Sequence, residues 1–476
     1  MRRRDFLRTV AGSAAALASG WQANASPAVK PNVIYIMLDE LGYFELSCMG
    51  NDKLKTPNID RAASEGMRFE QMLAGAPVCA PTRCTLMTGK HTGHSSIRAN
   101  GPQFCLREEE TTVADMFQAA GYATGGFGKW GCGDRGTTGV PWAHGFDDFF
   151  GYLHQRHAHS YFPTYLIDNG KKLPLEGNTG DFLAGPHFSH YLIYERSVEW
   201  LKQHKDRPFF LYLPWTPPHG QWGLPEDEPA WQLYKDQEWG AQDRWAPNDA
   251  QKYAAMVTMA DRHIGEIFGM LKTWGIDDNT IVFITGDNGG LKYFKNEKHP
   301  EGVFRPNGGV FRGEKGDVYE GGLRVPYIVR WPGKIKPGTV SDHLGYFPDV
   351  MPTLAELIGV KPPAEHDGLS FVPALLGERA ASRKQERHEY LYWEHLKGVA
   401  VRAENWKAVR PEPDAAWELY DLSRDVGEKN DLAARHPPVL KKLTAYAAKA
   451  HTPLRTGQWL DRAKGWQAHD EPAGES

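Results

Sequence analysis

The chain has 476 residues, 41% hydrophobic and 24% charged, with a formal net charge of −4. This length predicts a large core and two domains, and the composition belongs to a soluble globular protein rather than a disordered or fibrous one. A charge so close to balance gives no general attraction to nucleic acid, so an anionic ligand needs a local positive pocket.

Arg2-Arg3-Arg4-Asp5-Phe6-Leu7-Arg8 opens the chain, a short apolar stretch runs from Thr9 to about Ser19, and Ala23-Asn24-Ala25 follows. Basic, then apolar, then small residues read as a cleavable export signal over residues 1–25, of the twin-arginine type. The apolar run is too short to span a bilayer. The expectation is a periplasmic or secreted protein, exported folded and free of the membrane after signal cleavage.

Three apolar runs then end in polar residues of chemical interest. Val33-Ile34-Tyr35-Ile36-Met37-Leu38 leads into Asp39-Glu40, Phe209-Phe210-Leu211-Tyr212-Leu213 leads to His219, and Thr280-Ile281-Val282-Phe283-Ile284-Thr285 leads to Asp287-Asn288. Unbroken β-branched and aromatic runs predict strands buried on both faces. Between them lie helix signals: Thr56-Pro57 up to Gly66, Thr112-Val113-Ala114-Asp115 up to Gly121, and a longer pattern from about Asn248 to Gly275. Strands alternating with helices predict an α/β fold with a large, mainly parallel sheet flanked by helices. Ligands of such sheets gather beyond the carboxyl ends of the strands, which places Asp39, Glu40, His219, Asp287 and Asn288 on one rim.

The texture changes after about Pro337. Asp349 begins a helix. Tyr390–Trp393, Gly398–Arg402, Trp406–Val409 and Trp417–Asp421 read as short strands of an antiparallel sheet, and a closing helix spans about Pro437 to Lys449. The domain reading is a catalytic α/β domain over residues 30–337 and a smaller α+β subdomain over residues 338–476.

Cys79 lies in Cys79-Ala80-Pro81-Thr82-Arg83, followed by Thr85-Leu86-Met87-Thr88-Gly89. Pro81 suits the first turn of a helix, whose free N–H groups attract an anion. Arg83 comes four residues after Cys79, so one turn returns it to the same face. The other four cysteines, Cys48, Cys84, Cys105 and Cys132, allow three pairings, and none has zinc-site spacing with histidines.

Together with these stretches, Thr56-Pro57-Asn58-Ile59-Asp60-Arg61, Gly121-Tyr122-Ala123-Thr124, Gly128-Lys129-Trp130, Gly145-Phe146-Asp147, Gly286-Asp287-Asn288-Gly289, Arg312-Gly313-Glu314-Lys315-Gly316 and Glu418-Leu419-Tyr420-Asp421-Leu422 make the chain resemble the type I sulfatases of the alkaline phosphatase superfamily. The resemblance covers nearly the whole mature chain. It implies that a formylglycine-generating enzyme oxidises Cys79 to formylglycine. One hydroxyl of the aldehyde hydrate then attacks sulfur, and the other expels sulfate. It further implies one calcium ion held by Asp39, Glu40, Asp287, Asn288 and residue 79, with Arg83 beside the modified residue. Lys129 and Lys315 match lysines that hold the sulfate and the leaving oxygen, and His219 matches a histidine that protonates that oxygen. Hard oxygen donors suit calcium, and ammonium and imidazole groups suit developing charge.

The chain departs from the family pattern at three positions: Thr82 stands where Ser is commoner, Glu40 stands for Asp, and Gly131 occupies the place of a histidine after Gly-Lys-Trp. A histidine from His154-Gln155-Arg156-His157-Ala158-His159 is expected to replace the last, with His159 favoured. Between Pro214 and Pro247, Trp215, Trp222, Trp231, Trp239 and Trp245, with Tyr161, Phe162 and Tyr165, are expected either to stack sugar rings or to build local core. The expected partner is a sulfated small molecule or glycan. A phosphomonoesterase or phosphodiesterase of the same superfamily is disfavoured by Cys79 and by the lack of a second set of His and Asp ligands. A non-catalytic, calcium-stabilised glycan-binding protein is disfavoured because Cys79, Arg83, Lys129, His219 and Lys315 persist together.

Overall fold

The three buried runs form the centre of one ten-stranded sheet. The computed structural model describes residues 30–454 apart from 102–103, 242, 306–309 and 397; the export signal expected over residues 1–25 lies outside the described residues. In chain order the strands are β1 (Asn32–Leu38), β2 (Met67–Leu73), β3 (Ala123–Lys129), β4 (Asp148–Tyr152), β5 (Tyr165–Asp168), β6 (Lys171–Pro174), β7 (Phe209–Trp215), β8 (Thr280–Gly286), β9 (Tyr327–Arg330), β10 (Thr339–Tyr346), β11 (Leu391–His395), β12 (Gly398–Ala403), β13 (Trp406–Arg410) and β14 (Glu418–Asp421). The large sheet runs β10-β2-β9-β8-β1-β7-β3-β4-β5-β6, and β11 to β14 form a second, four-stranded sheet. From β8 to β4 every pairing is parallel. β9 is antiparallel to both neighbours, and β5 and β6 add an antiparallel edge.

All residues of β1, β7 and β8 are buried, as parallel strands covered by helices on both faces must be. Alternate residues of β1 serve opposite cores, because side chains alternate along a strand. Ile34, Ile36 and Leu38 pack with the Ser189–His204 and Asp249–Thr273 helices, through Ile193, Trp200, Ile264 and Phe268. Val33, Tyr35 and Met37 belong to the other core, with Ala80, Val113, Phe117, Val350 and Met351. The Val113–Ala119 helix starts as its sequence predicts, because Thr112 and Asp115 form a reciprocal capping box.

The strand β10 pairs with β2 at the edge of the large sheet, so that sheet draws on residues beyond 337. One face of the antiparallel sheet, through Tyr392, Val401, Ala408 and Leu419, packs on the Pro437–Ala450 helix. The other face, through Leu391, Trp393, Ala400 and Val409, packs on Leu73, Val318 and Leu323. A buried charge cluster adds to that contact: Lys407 on β13 pairs with Glu320 at 3.1 Å and Glu428 at 2.9 Å, and Arg324 meets Glu320 at 2.6 Å. All five cysteines are free thiols, so none of the three pairings forms. No helix among the described residues is long and apolar enough to cross a membrane.

Candidate active site

Parallel register brings the chemistry to one level. Leu38 pairs with Gly286 on one side and Trp215 on the other. The ladder continues one step further: Asp287 N–H donates to the Leu38 carbonyl and Asp39 N–H to the Trp215 carbonyl, both at 3.1 Å. Asp39-Glu40, Asp287-Asn288 and the Thr216–His219 turn therefore leave the sheet side by side. Lys129 ends β3, which pairs with β7. Cys79 opens the Cys79–Thr88 helix, which follows β2. Pro81 stands in the first turn of that helix, as expected, although the helix begins two residues before it.

Every one of these side chains is buried. The Cys79 thiol donates to Asp39 Oδ1 at 3.4 Å, and Lys129 Nζ lies 2.5 Å from Asp39 Oδ2. Arg83 does return to the same face: Nη2 donates to Asp287 Oδ2 at 2.9 Å and lies 3.6 Å from Asp39 Oδ2, while Nη1 donates to the Lys129 carbonyl at 2.5 Å. Three carboxylates and three cations thus share the pocket once Glu40 and Lys315 are counted.

Glu40 has a left-handed backbone, φ 62°, unusual for a residue with a side chain. Its N–H donates to Asp287 Oδ1 at 3.0 Å, which holds the turn. Its carboxylate bonds Lys315 Nζ, lies 3.0 Å from His219 Nε2 and accepts from the Tyr293 hydroxyl at 3.0 Å. Lys315 Nζ and His219 Nε2 are 3.3 Å apart. Glu40 therefore ties the lysine and histidine loops to the carboxylate cluster. No motif announces Tyr293; only its place soon after Asn288 hints at the rim.

Burial would raise the Asp39 carboxyl, but Lys129, His219 and Arg83 outweigh it and keep Asp39 ionised. Burial and then the Asp39 charge push Asp287 up to about 7. Burial likewise raises the Cys79 thiol, brings His219 down to about 4 and Lys315 down to about 8.

Oxygen donors suited to a hard cation converge here. The side-chain oxygen of Asn288 is buried with no hydrogen-bond partner among the described residues, and it leaves β8 beside Asp287 and Asp39. Donor atoms of Asp39, Cys79 and His219 lie within 4.8 Å of one another. An unpaired amide oxygen beside crowded carboxylates fits a bound cation better than an empty polar core.

Gly131 has φ +81°, and a Cβ there would meet Gln155 Nε2 at 2.8 Å and Arg83 Cδ at 3.0 Å. Gln155 fills this space and donates to the Gly131 carbonyl at 3.0 Å. Of the neighbouring histidines, His157 turns to the Tyr165 carbonyl at 2.9 Å. His159 stacks on His219 with ring centroids 4.5 Å apart. His154, Gln155 and His159 line a cavity of about 260 Å³ that also touches Gly131, Asn100 and Phe104.

The aromatic-rich excursion divides. Trp215, Trp222, Tyr161 and Phe162 are core residues, and Trp231 and Trp239 pack against the core half-buried. A long excursion from a sheet must bury its own apolar surface, so most of these rings stabilise the loops and do not face a ligand. Trp245 is the exception, 47% exposed.

Three comparisons with known proteins agree with this geometry. Residues 31–360 match the family model described as Sulfatase, and residues 310–450 match that of the N-sulphoglucosamine sulphohydrolase C-terminal region. The chain is 28% identical to an N-acetylgalactosamine-6-O-sulfatase of Bacteroides thetaiotaomicron, over 88% of this chain and 93% of the relative. It is 30% identical to arylsulfatase A of Bos taurus, over 90% and 83% respectively. Among solved structures, it resembles a Bacteroides thetaiotaomicron protein from a locus for metabolism of multiple glycosaminoglycans, with a TM-score of 0.71, 26% identity and coverage of 88% of this chain and 98% of that one.

Proposed function

Since the chain belongs to the sulfatase family and is a sulfuric ester hydrolase, we propose that it releases sulfate from a sulfated carbohydrate through a formylglycine at position 79, beside one calcium ion. The observation that carries this reading is the setting of Cys79: first turn of a helix, bonded to Asp39, with Lys129 and Arg83 closing the pocket behind it.

A formylglycine made from Cys79 by a formylglycine-generating enzyme would supply, as its hydrate, the hydroxyl that attacks sulfur. Asp39, Asp287 and Asn288, joined by Glu40 and residue 79, would hold the calcium, whose charge neutralises sulfate oxygens. The remaining roles belong to the chain's own side chains. Arg83, fixed by Asp287 and the Lys129 carbonyl, sets the position of the helix turn that bears residue 79. Lys129 places a buried ammonium beside Asp39, where it favours the anionic sulfate in a dry pocket. Lys315 and His219 face each other across Glu40, so an ammonium and an imidazole stand together on one side of the pocket. There they stabilise the leaving oxygen and hand it a proton. His159, stacked on His219 beside Gly131, takes the task of the histidine that position 131 lacks, which is to remove the proton of the second hydroxyl.

The carbohydrate assignment is supported by the relative named for N-acetylgalactosamine 6-O-sulfate and by the exposed Trp245 at the rim. Export by the twin-arginine route suits an enzyme that folds and matures before leaving the cytoplasm. The test is turnover of 4-nitrophenyl sulfate against 4-nitrophenyl phosphate, with the Cys79→Ala variant alongside. The sulfate ester is expected to be preferred, and Cys79→Ala to lose turnover while keeping its melting temperature. Undiminished sulfate release by Cys79→Ala contradicts the proposal.

A further inference from the structure

The exposed pair Arg244-Trp245 stands on a support more rigid than a surface loop needs. The backbone N–H groups of Arg244, Trp245 and Ala246 all donate to Oδ2 of Asp249, at 2.8, 2.6 and 3.2 Å. Asp249 is itself buried, at the start of the Asp249–Thr273 helix. The Arg244 guanidinium lies between two rings, 4.9 Å from the centroid of Trp245 and 5.1 Å from that of Tyr293. Tyr293 is the residue that donates to Glu40. A Cβ on Gly220, next to His219, would lie 3.5 Å from the Tyr293 hydroxyl and 3.6 Å from the Trp245 indole nitrogen. The stack therefore adjoins the residue after His219 and, through Tyr293, the Glu40 carboxylate that bonds Lys315 and His219.

A guanidinium held between two aromatic faces keeps its edge, with its fork of N–H donors, open to solvent. That edge matches the oxygens of a sulfate or a carboxylate. The exposed indole beside it offers a flat apolar face of the kind on which a sugar ring stacks. Aryl and steryl monosulfates have no anion to place on the arginine once their only sulfate occupies the reaction centre.

We propose that Arg244, Trp245 and Tyr293 recognise a second anionic group on the leaving-group side, so that the enzyme's substrate is a carbohydrate with a sulfate or carboxylate besides the sulfate it loses. This rests on the sulfatase reading of the pocket and narrows its substrate class. Tyr293 acts by fixing Arg244 relative to Glu40, while Arg244 and Trp245 touch the substrate.

The experiment measures sulfate release by ion chromatography from four probes: 4-nitrophenyl sulfate, a hexosamine monosulfate, the same sugar with a second sulfate, and the same monosulfated sugar linked to a uronic acid. Wild type is compared with Arg244→Ala, Arg244→Lys and Trp245→Ala, all surface changes that leave the core untouched. Wild type is expected to favour at least one doubly anionic probe over the hexosamine monosulfate. Arg244→Ala is expected to lose about ten- to a hundred-fold more kcat/KM on that probe than on the aryl ester, mainly through KM. Arg244→Lys should recover part of the loss, since charge without a planar fork remains. The probe that shows the Arg244 dependence identifies the second group as sulfate or carboxylate. Equal losses on all four probes overturn the inference while leaving the sulfatase reading intact. No sulfate release from any probe by wild type overturns that reading, and the inference with it.

Discussion

Replacing Gly131 with histidine should damage this enzyme rather than improve it. At φ +81° any side chain costs about 1–2 kcal/mol in backbone strain. The new Cβ would press on Gln155 Nε2 at 2.8 Å, and the amide can swing away by giving up its bond to the Gly131 carbonyl, about 1 kcal/mol. Its second contact, 3.0 Å to Arg83 Cδ, has no such relief, because the guanidinium is tied to Asp287 and to the Lys129 carbonyl. The expected sum is a destabilisation of about 2–3 kcal/mol, together with a shifted Arg83. Small displacements of positioning groups cost about a hundred-fold in rate at the upper end. Gly131→His should therefore lower kcat/KM on 4-nitrophenyl sulfate about ten- to a hundred-fold and reduce the Tm by several degrees. Gly131→Ala should show the same direction with a smaller loss. A Gly131→His enzyme as fast and as stable as wild type would refute the reasoning, and with it the claim that this pocket is built around the missing side chain.

Lys407→Met should destabilise the protein by about 3–5 kcal/mol, because it strands Glu428 and leaves Glu320 to its arginines. Burial already pushes Glu428 up to about 7, so Lys407→Met/Glu428→Gln should regain much of the loss in a denaturant titration; no recovery would contradict the pairing. The buried pair His190–His263, 3.0 Å apart, is held neutral by burial, with pKa values brought down to about 3 and about 2. The unfolded chain takes up these two protons below the usual histidine value of about 6.5, so this stabilisation is complete above that pH and is lost as pH falls, with a limiting slope of about 1.4 kcal/mol per unit for each histidine. Stability measured from pH 7 to 5 should fall less steeply in His190→Gln/His263→Gln, and parallel curves would count against it. Removing divalent ions with a chelator should lower both turnover and Tm, and calcium should restore both; a calcium concentration 100 times the dissociation constant stabilises by about 2.7 kcal/mol. Unchanged rate and Tm after thorough removal would rule out the calcium assignment.

The centre of the fold was legible because β1, β7 and β8 are continuous apolar runs, and each leads straight into a polar pair or a histidine turn. The small sheet and the Pro437–Ala450 helix were legible from alternation and end signals. The strand β3 was not, because its sequence Ala-Thr-Gly-Gly-Phe-Gly-Lys has three glycines, which weaken any strand pattern. The reason for them lies in tertiary packing: a Cβ at Gly125 would meet the Trp200 ring at 2.7 Å, and one at Gly128 the Pro214 carbonyl at 2.2 Å. The strands β5 and β6, at the end of the large sheet, have four residues each, so they lack a run long enough to read.

The ten residues picked for chemistry do come together, because strand order and register are what bring Asp39 beside Asp287 and Lys129. What the sequence left hidden are contacts between loops. Nothing in the spacing says that Glu40 bonds both Lys315 and His219, that Tyr293 completes that group, or that His159 and not His157 lies against His219. The tryptophans illustrate the same limit: composition cannot tell a ring that builds a loop's own core, such as Trp222, from one held at the rim, such as Trp245.

The most direct test of the central claim is the mass of the peptide carrying residue 79, taken from protein purified out of its own host. The account predicts an aldehyde or its hydrate in place of the thiol, with loss of turnover in any fraction that keeps the cysteine. A fully active enzyme whose residue 79 is still an unmodified thiol would contradict it.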